Sequence, residues 1–299
     1  MKWRYLCVQM KKAILFLHAA VLLAGFTPIF GKAIQLNEGM LVWFRLFFSA
    51  IIAGVLFGSM GQLRKLPVKT ILKISGVGLI LSLHWVLFYG SVKYANASVA
   101  VVCISAAGFF SALIEPFLLR KKMKAVEVLL GLIALAGVYI IFDFHPQFQK
   151  GVIFGILAAL GSAIFPIFNK QLLEEVSVYE LSFYEFLMGG LTLSLILPFY
   201  LSIFPYGEMI PSVSDLILLA LLSLFCTVLA FLLQLEALKK ISAFTVNLSY
   251  NLEPVYGVLL AFFMYKEHEM LNRHFYVGIG LIMLAIVLQT IRTLKKGRY

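Results

Sequence analysis

The sequence has little charge and few polar stretches. Only 13% of its 299 residues are charged, whereas 62% are hydrophobic and the mean hydropathy is +0.98. A soluble protein of this length needs a polar surface, and this composition cannot supply one. Lipid must therefore be the solvent for most of the surface, which excludes a soluble enzyme or a soluble binding domain.

Cysteine and aspartate are scarce as well. The three cysteines, Cys7, Cys103 and Cys226, lie far apart, and their odd number argues against a disulfide framework. No metal-binding spacing occurs, so neither a metal nor another cofactor is predicted. The two aspartates, Asp143 and Asp215, lie near predicted helix ends. The sequence contains no HExxH or GxSxG motif and no P-loop, so it offers neither a catalytic set nor an ATP-binding site.

Long apolar runs fill most of the chain. In hydrocarbon only helices and closed barrels satisfy every backbone polar group, and a helix crosses with about 20 apolar residues. Barrel strands would show short alternation instead. Ten apolar segments are predicted, at 13–33, 39–58, 71–90, 97–119, 126–143, 151–170, 179–204, 215–238, 242–265 and 274–291. The sequence thus predicts an all-α polytopic membrane protein with ten transmembrane helices.

The distribution of lysine and arginine predicts the orientation. If the N-terminus is cytoplasmic, 19 of the 25 basic residues fall in cytoplasmic segments, five fall outside, and Arg45 lies within the second segment. We therefore expect a multi-pass protein of the inner (cytoplasmic) membrane with both termini cytoplasmic. Basic loops that meet anionic lipid account for the net charge of +11, so no nucleic-acid partner is predicted. The first segment exceeds signal-peptide length without a clear cleavage site, and we expect it to be retained.

One sequence motif at a predicted helix end occurs twice. TPIFGK at 27–32 returns as FPIFNK at 165–170, and SVKYANASVAV at 91–101 resembles ALKKISAFTVN at 237–247. With ten helices, the first PIF copy ends helix 1 and the second ends helix 6, which run in opposite directions. Any two apolar helices look somewhat alike, but the common order of several matches favours a true repeat. It predicts two inverted five-helix halves, 1–145 and 146–299, an arrangement that permits alternating access around a midplane site.

These features resemble the ten-helix EamA-type proteins of the drug/metabolite transporter superfamily. The resemblance covers nearly the whole chain and rests on the two PIF motifs, on Arg45 and on the block 237–269 with Pro254 and Glu267. The first half departs from the family pattern, because Gly108 takes the position of Pro254. The resemblance implies a cytoplasmic-membrane carrier, often an exporter of amino acids or related metabolites, with helices 1, 3, 4, 6, 8 and 9 lining its cavity.

Polar residues in the apolar segments are candidates for substrate contact, because they are costly in lipid unless they face a cavity or each other. The ninth segment is the most polar. Asn247, Asn251 and Pro254 share one helix face, and Pro254 leaves the carbonyl of Tyr250 without its helix donor. Together with Glu253, these groups are predicted to hold a substrate ammonium or other donors. The alternative is interhelical hydrogen bonding that holds the bundle together.

The third and fourth segments add four candidates for substrate binding. His84 either titrates in the pathway or is a neutral, hydrogen-bonded residue of the interior. Trp85 and Tyr89 either stack on an aromatic or cationic substrate or belong to the outer interfacial belt. Ser105 is the candidate in the fourth segment.

A further set is predicted to gate or couple transport: Arg45, Glu185, Glu115, Pro28 and Pro166. Arg45 and Glu185 occupy matching repeat positions with opposite charge, and we expect them in gating or structural ion pairs. Glu115 either contributes to the cavity or pairs with Arg120 near the cytoplasmic face. Pro28 and Pro166 are expected to kink helices 1 and 6. Glu253, Glu115, Glu185 or His84 would carry a proton in a coupled carrier, whereas uniport or exchange needs none of them.

The predicted function is secondary active transport, with export of amino acids or related small metabolites by alternating access, with or without proton coupling. The alternatives are an intramembrane enzyme acting on a lipid-linked substrate and a non-transporting membrane sensor, neither of which needs inverted halves. The expected partners are a small-molecule substrate and the lipid bilayer. Ten helices can enclose a cavity on their own, so a monomer is sufficient and a homodimer is also compatible.

Overall fold

A computed structural model of the chain describes residues 2–141, 149–205, 207–250, 252–253, 256, 260 and 273–296. Within these ranges the protein is helical, apart from an isolated β-bridge between Leu36 and Glu208. The elements are α1 Lys2–Ala24, α2 Thr27–Ala33, α3 Glu38–Ser59, α4 Val68–Tyr94, α5 Ala97–Ile104, α6 Ala107–Leu118, α7 Ala125–Ile141, α8 Gln149–Leu172, α9 Val178–Ile203, α10 Val213–Ser223, a π-helical turn Leu224–Leu229, α11 Ala230–Leu238, α12 Ala243–Tyr250 and α13 Arg273–Lys296.

Seven stretches of the described chain are long and apolar enough to cross a membrane. They are Met10–Ala33, Glu38–Ser59, Val68–Tyr94, Ala97–Leu118, Gln149–Leu172, Val178–Ile203 and Val213–Leu238. Two shorter apolar helices, Ala125–Gly137 and Tyr276–Gln289, lie where the fifth and tenth segments are predicted. The ninth predicted segment is described only in part, mainly as α12. The predicted all-α, polytopic membrane architecture is confirmed.

Several of these spans are interrupted near their middle. Residues 25–26 separate α1 from α2, residues 105–106 separate α5 from α6, and the π-helical turn interrupts the span that contains α10 and α11. Pro28 lies in the first turn of α2, where its missing N–H is tolerated. The first predicted segment is therefore interrupted before the proline, at residues 25–26, and is not kinked at Pro28 itself. Pro166 lies inside α8, which continues through it as one helix.

Loop contacts at one end of the bundle join the first half of the chain to the second. Asn37 donates from Nδ2 to the carbonyl of Phe204 at 2.9 Å, and the backbone N–H of Gln35 donates to Asp215 Oδ1 at 3.1 Å. We call this the opposite end, because it lies across the bundle from the end with the basic loops, which is described next. It is formed by the loops at 34–37, 95–96 and 204–212.

The other end of the bundle carries most of the basic residues, and we call it the basic end. It is formed by the loops at 60–67, 119–124, 173–177 and 239–242. Arg64 Nε bonds to Glu180 Oε1 at 2.8 Å, which ties the loop before α4 to the start of α9. Lys170 Nζ donates to the carbonyl of Leu238 at 3.1 Å and ties the end of α8 to the end of α11.

Two glycines allow α4 and α9 to touch backbone to backbone. A Cβ added at Gly78 would lie 2.8 Å from the carbonyl oxygen of Glu185 and 2.9 Å from the nitrogen of Gly189. A Cβ added at Gly189 would lie 2.9 Å from the carbonyl oxygen of Gly78. Helix α4 also packs against α8, so it lies between two helices of the second half.

We expect Gly78→Ala to lower the free energy of unfolding by about 1–3 kcal/mol, because the added methyl group overpacks against backbone atoms. Gly76 is the matched control on the same helix, since it is exposed and nothing lies within 4 Å of its added Cβ. Gly76→Ala should be neutral or stabilise by up to about 1 kcal/mol through helix propensity. Thermal unfolding of the purified protein in detergent measures both variants, and equal melting temperatures would contradict the close contact.

Candidate functional site

A cavity of about 70 Å³ lies at the centre of the bundle. One buried water needs about 10–15 Å³ on this scale, so the space admits several waters or a small solute. Two helix ends lie in its wall, Ala24 at the end of α1 and Ile104 at the end of α5. Interrupted helices at such a site expose backbone groups that can bind polar ligands. The wall is built from the predicted segments 1, 3, 4, 6, 8 and 9, and the second segment adds Arg45.

Arg45 is the cation of the cavity wall. It is 2% exposed and donates from Nε to Thr227 Oγ1 at 2.7 Å, from Nη1 to the Tyr89 hydroxyl at 2.9 Å and from Nη2 to the Cys226 carbonyl at 3.2 Å. Its guanidinium carbon lies 3.8 Å from the centroid of the Trp85 ring, a cation–π contact. Every one of these partners is neutral. Because guanidinium has five N–H donors and these bonds engage three, Arg45 keeps donors for an anionic group.

Trp85 and Tyr89 lie one helical turn apart on α4, and both contact Arg45. Trp85 lines the cavity, whereas Tyr89 is fully buried behind it. With 8% and 0% exposure, both rings pack inside the bundle and offer little surface to lipid, which favours the predicted role at the site over an interfacial belt. The Tyr89 hydroxyl accepts from Arg45 and thereby fixes the direction of the guanidinium.

Three further polar side chains of the wall have hydrogen-bond partners. His84 Nδ1 lies 2.7 Å from the carbonyl oxygen of Ala158, which can only accept, so Nδ1 carries the hydrogen. The Tyr250 hydroxyl lies 3.1 Å from Gln234 Oε1 and donates to it. Asn247 Nδ2 reaches the carbonyl of Ala163 at 3.5 Å, a long bond that is easily replaced by a ligand.

Glu253 is the acidic residue of the wall. It is 6% exposed and lines the same cavity as Arg45. Within the described part of the chain, no hydrogen bond to its carboxylate is found. One buried cavity thus holds a guanidinium with unused donors and a carboxylate with unused acceptors, and it can bind a small ligand that carries both charges.

The remaining predicted residues lie away from the cavity wall. Ser105 is fully buried at the interruption between α5 and α6. Glu115 accepts from the backbone N–H of Phe244 at 2.8 Å and caps the start of α12, a structural contact that the sequence did not predict. Its expected ion pair with Arg120 is not found among the described residues. Asn251 and Pro254 lie outside the residues that the structure describes.

Glu185 also lies away from the cavity. It is fully buried and accepts from Asn169 Nδ2 at 3.2 Å. Among the described residues, neither Arg45 nor Glu185 forms the ion pair expected from the sequence, because each takes neutral hydrogen-bond partners in this conformation.

Several residues of the wall were missed by the sequence reasoning. Thr227 and Gln234 lie in the eighth segment, and each bonds a predicted site residue. Polar side chains inside an apolar segment were the signal used for the ninth segment, and the same criterion would have found these two. Phe165 and Phe231 stack with ring centroids 6.4 Å apart in the wall. Nothing distinguishes them in a sequence with 27 phenylalanines.

Comparisons with known proteins give the same picture in both halves of the chain. The model of the EamA-like transporter family matches residues 11–143 and again 149–291. An uncharacterized transporter of Clostridium kluyveri is 21% identical over 93% of this chain and 92% of that protein. The uncharacterized transporter YetK of Bacillus subtilis is 29% identical over 71% of this chain and 65% of that protein.

A solved structure has the same fold. It is the crystal structure of a protein that matches with a TM-score of 0.70 and 15% identity over 95% of this chain and 98% of that chain. The helical architecture and the matches together define a multi-pass membrane transporter. The chain belongs to the EamA-like transporter family, as the sequence motifs predicted, and this membership fits the expectation that it is not an enzyme.

We expect Tyr89→Phe to lower the free energy of unfolding by about 1.5–3 kcal/mol, because a buried charged donor loses its acceptor. Tyr179→Phe is the control. The ring of Tyr179 packs 5.2 Å from that of Phe57, and no hydrogen bond of its hydroxyl is found in the described part of the chain, so its effect should stay within about 0.5 kcal/mol. Thermal unfolding in detergent distinguishes them. Equal losses in the two variants would mean that Tyr89 does not anchor Arg45.

Proposed function

We propose that the protein is a secondary active carrier that exports a small zwitterionic metabolite of the amino-acid type by alternating access. One observation carries the proposal: Arg45 and Glu253 line the same buried cavity, and both retain hydrogen-bonding capacity. A buried cation with only neutral partners and a buried carboxylate with no hydrogen bond found in the described part of the chain are costly in a membrane protein, and such residues mark substrate pathways. The direction of transport follows the resemblance to exporters.

Each part of such a substrate has a complementary group in the wall. The carboxylate binds the unused N–H groups of Arg45, because guanidinium and carboxylate pair through two parallel hydrogen bonds. The ammonium binds Glu253, and the amide of Asn247 adds a polar contact. Trp85 and Phe165 offer aromatic faces to an apolar side chain. In this proposal Tyr250 and His84 complete the polar wall, Ser105 belongs to the interrupted helix beside it, and Asn251 remains a substrate-binding candidate from the sequence.

Alternating access requires two halves that can rock around the site, and we propose ten crossings in two inverted halves, 1–145 and 146–299. Two features support this. The family model matches two consecutive regions of similar length, 11–143 and 149–291. The two PIF copies also end at different ends of the bundle. Lys32 precedes the 34–37 loop of the opposite end, whereas Lys170 contacts the carbonyls of Leu238 and Ile241 at the basic end.

We further propose that the basic end faces the cytoplasm and that both termini lie on that side of the inner membrane. Basic residues concentrate in cytoplasmic loops of membrane proteins. The basic end carries the following lysines and arginines: Arg64, Lys65, Arg120, Lys121, Lys122, Lys124, Lys239 and Lys240.

We expect Glu253→Gln to slow exchange of the substrate by about tenfold or more, since the ammonium loses its counter-charge and tenfold corresponds to about 1.4 kcal/mol. Pure protein in liposomes is tested for counterflow of a panel of labelled amino acids, nucleosides and sugars. Glu236→Gln is the control, because Glu236 lies in α11 and pairs with Lys239 at 3.0 Å on the surface. Counterflow of amino acids alone, retained in Glu236→Gln, fits the proposal. Saturable counterflow confined to uncharged solutes would refute the zwitterion site.

Labelling of single cysteines tests the orientation of the protein in the membrane. In a variant without the native cysteines, single cysteines replace Ile210, which is 82% exposed in the 204–212 loop, and Lys122, which is exposed in the 119–124 loop. A membrane-impermeant maleimide added to intact cells should label Ile210→Cys at once and Lys122→Cys only after permeabilisation. The reverse pattern would place the basic end outside.

A further inference from the structure

Two buried side chains near the basic end form an incomplete hydrogen-bonded pair. Glu185 on α9 and Asn169 on α8 are both 0% exposed, and Asn169 Nδ2 donates to Glu185 Oε1 at 3.2 Å. The other carboxyl oxygen of Glu185, Oε2, and the single amide oxygen of Asn169, Oδ1, are buried and have no hydrogen-bond partner in the described part of the chain. Buried polar atoms are nearly always paired, so two unpaired oxygens on the two members of one pair require an explanation.

One proton shared by this pair explains why both oxygens lack a hydrogen-bond partner. An ionised carboxylate and an amide oxygen can only accept hydrogen bonds, so Glu185 Oε2 and Asn169 Oδ1 cannot bond each other without a hydrogen. A proton on Oε2 makes it a donor and gives the amide oxygen the hydrogen that it lacks. The acid and the amide then exchange two hydrogen bonds, one in each direction. Both buried groups are satisfied without a net charge, which is the inexpensive arrangement in a membrane interior.

Among the residues that the structure describes, no cation pairs with Glu185 in this conformation. The described ion pairs do not include it, and its backbone lies against the glycine contact of α4. The ionisable side chains that are buried or half-buried on α3, α4, α8 and α11 have contacts elsewhere: Glu38 with Tyr200, Arg45 with Thr227, His84 with Ala158, Tyr89 with Arg45, Lys93 with Ile34, Tyr94 with Phe154, Lys170 with Leu238 and Glu236 with Lys239.

We propose that Glu185 is a proton-binding site that couples a proton to transport. It holds the proton in this conformation, paired with Asn169, and releases it to water on the basic side when α8 and α9 separate there. Asn169 stands three residues before the end of α8, beside Lys170, whose ammonium fastens that helix end to the 239–242 loop. Opening of the basic end therefore removes the amide from Glu185 and admits water, which stabilises the carboxylate. The coupling step rests on the proposed carrier function, whereas the bound proton does not.

Infrared spectroscopy tests the proton directly. The purified wild-type protein at neutral pH should show the C=O stretching band of a protonated carboxylic acid, and Glu185→Gln should remove it. Glutamine preserves the pairing, because its amide donates to Asn169 Oδ1 and accepts from Nδ2, so this variant should fold. Glu253→Gln serves as the control for the buried carboxyl group of the cavity wall and should keep the band. Identical acid bands in wild type and Glu185→Gln would overturn the proposal.

Replacement of the partner, Asn169, should change the infrared band of Glu185 in a different way. Asn169→Leu has a similar volume but neither donates to nor accepts from the acid, so the C=O band of Glu185 should move to higher frequency, as expected for an acid without a hydrogen-bond donor. An unshifted band in a variant that melts as a folded protein would show that the acid is not paired with Asn169.

Transport measurements then separate coupling from exchange. In liposomes, Glu185→Gln should retain counterflow but lose the accumulation that a pH gradient drives, because its amide cannot release a proton. Glu175→Gln, which alters a surface pair with Lys73 in the adjoining loop, should retain both activities. Full gradient-driven accumulation by Glu185→Gln would refute coupling through this residue. If the wild type exchanges no solute, the carrier proposal fails, and the infrared band alone decides whether Glu185 holds a proton.

Discussion

A buried guanidinium that is held by neutral partners is the constraint around which the site is built. Arg45 cannot lose its charge and is only 2% exposed, so the surrounding helices supply a hydroxyl from Thr227, a phenol from Tyr89, a backbone carbonyl and the face of Trp85. The carbonyl belongs to Cys226, which lies in the π-helical turn at 224–229. Thr227, which accepts from Arg45 Nε, lies in the same turn, so this irregular segment supplies two of the partners of the charge.

The matching positions of the two halves have taken opposite chemical characters. Arg45 in α3 is a permanent cation beside the cavity, whereas Glu185 in α9 is a titratable acid away from it. The position that corresponds to Asn169 in the first PIF copy is Gly31, where a side chain would collide with the ring of Tyr89. The first half therefore fills that space with an aromatic ring that orients Arg45. The two matched positions thus place a cation at the cavity and a buried carboxyl group away from it.

Much of the architecture was predictable from the sequence, because continuous apolar runs admit few structures in lipid. The candidates Arg45, His84, Trp85, Asn247, Tyr250 and Glu253 were all found by the cost of polar groups at membrane depth, and the structure brings them to one cavity. That criterion cannot tell a group facing a cavity from one facing a helix end, which is why Glu115 turned out to be a cap of α12. The same criterion cannot find apolar wall residues such as Phe165.

The contact between Gly78 and Gly189 limits how α4 and α9 can move against each other. Backbone atoms that touch through two glycines leave no side chains that could rearrange during sliding. The contact joins a helix of the first half to a helix of the second. Rocking of the proposed halves therefore has to pivot here, where two backbones meet and neither helix can shift along the other.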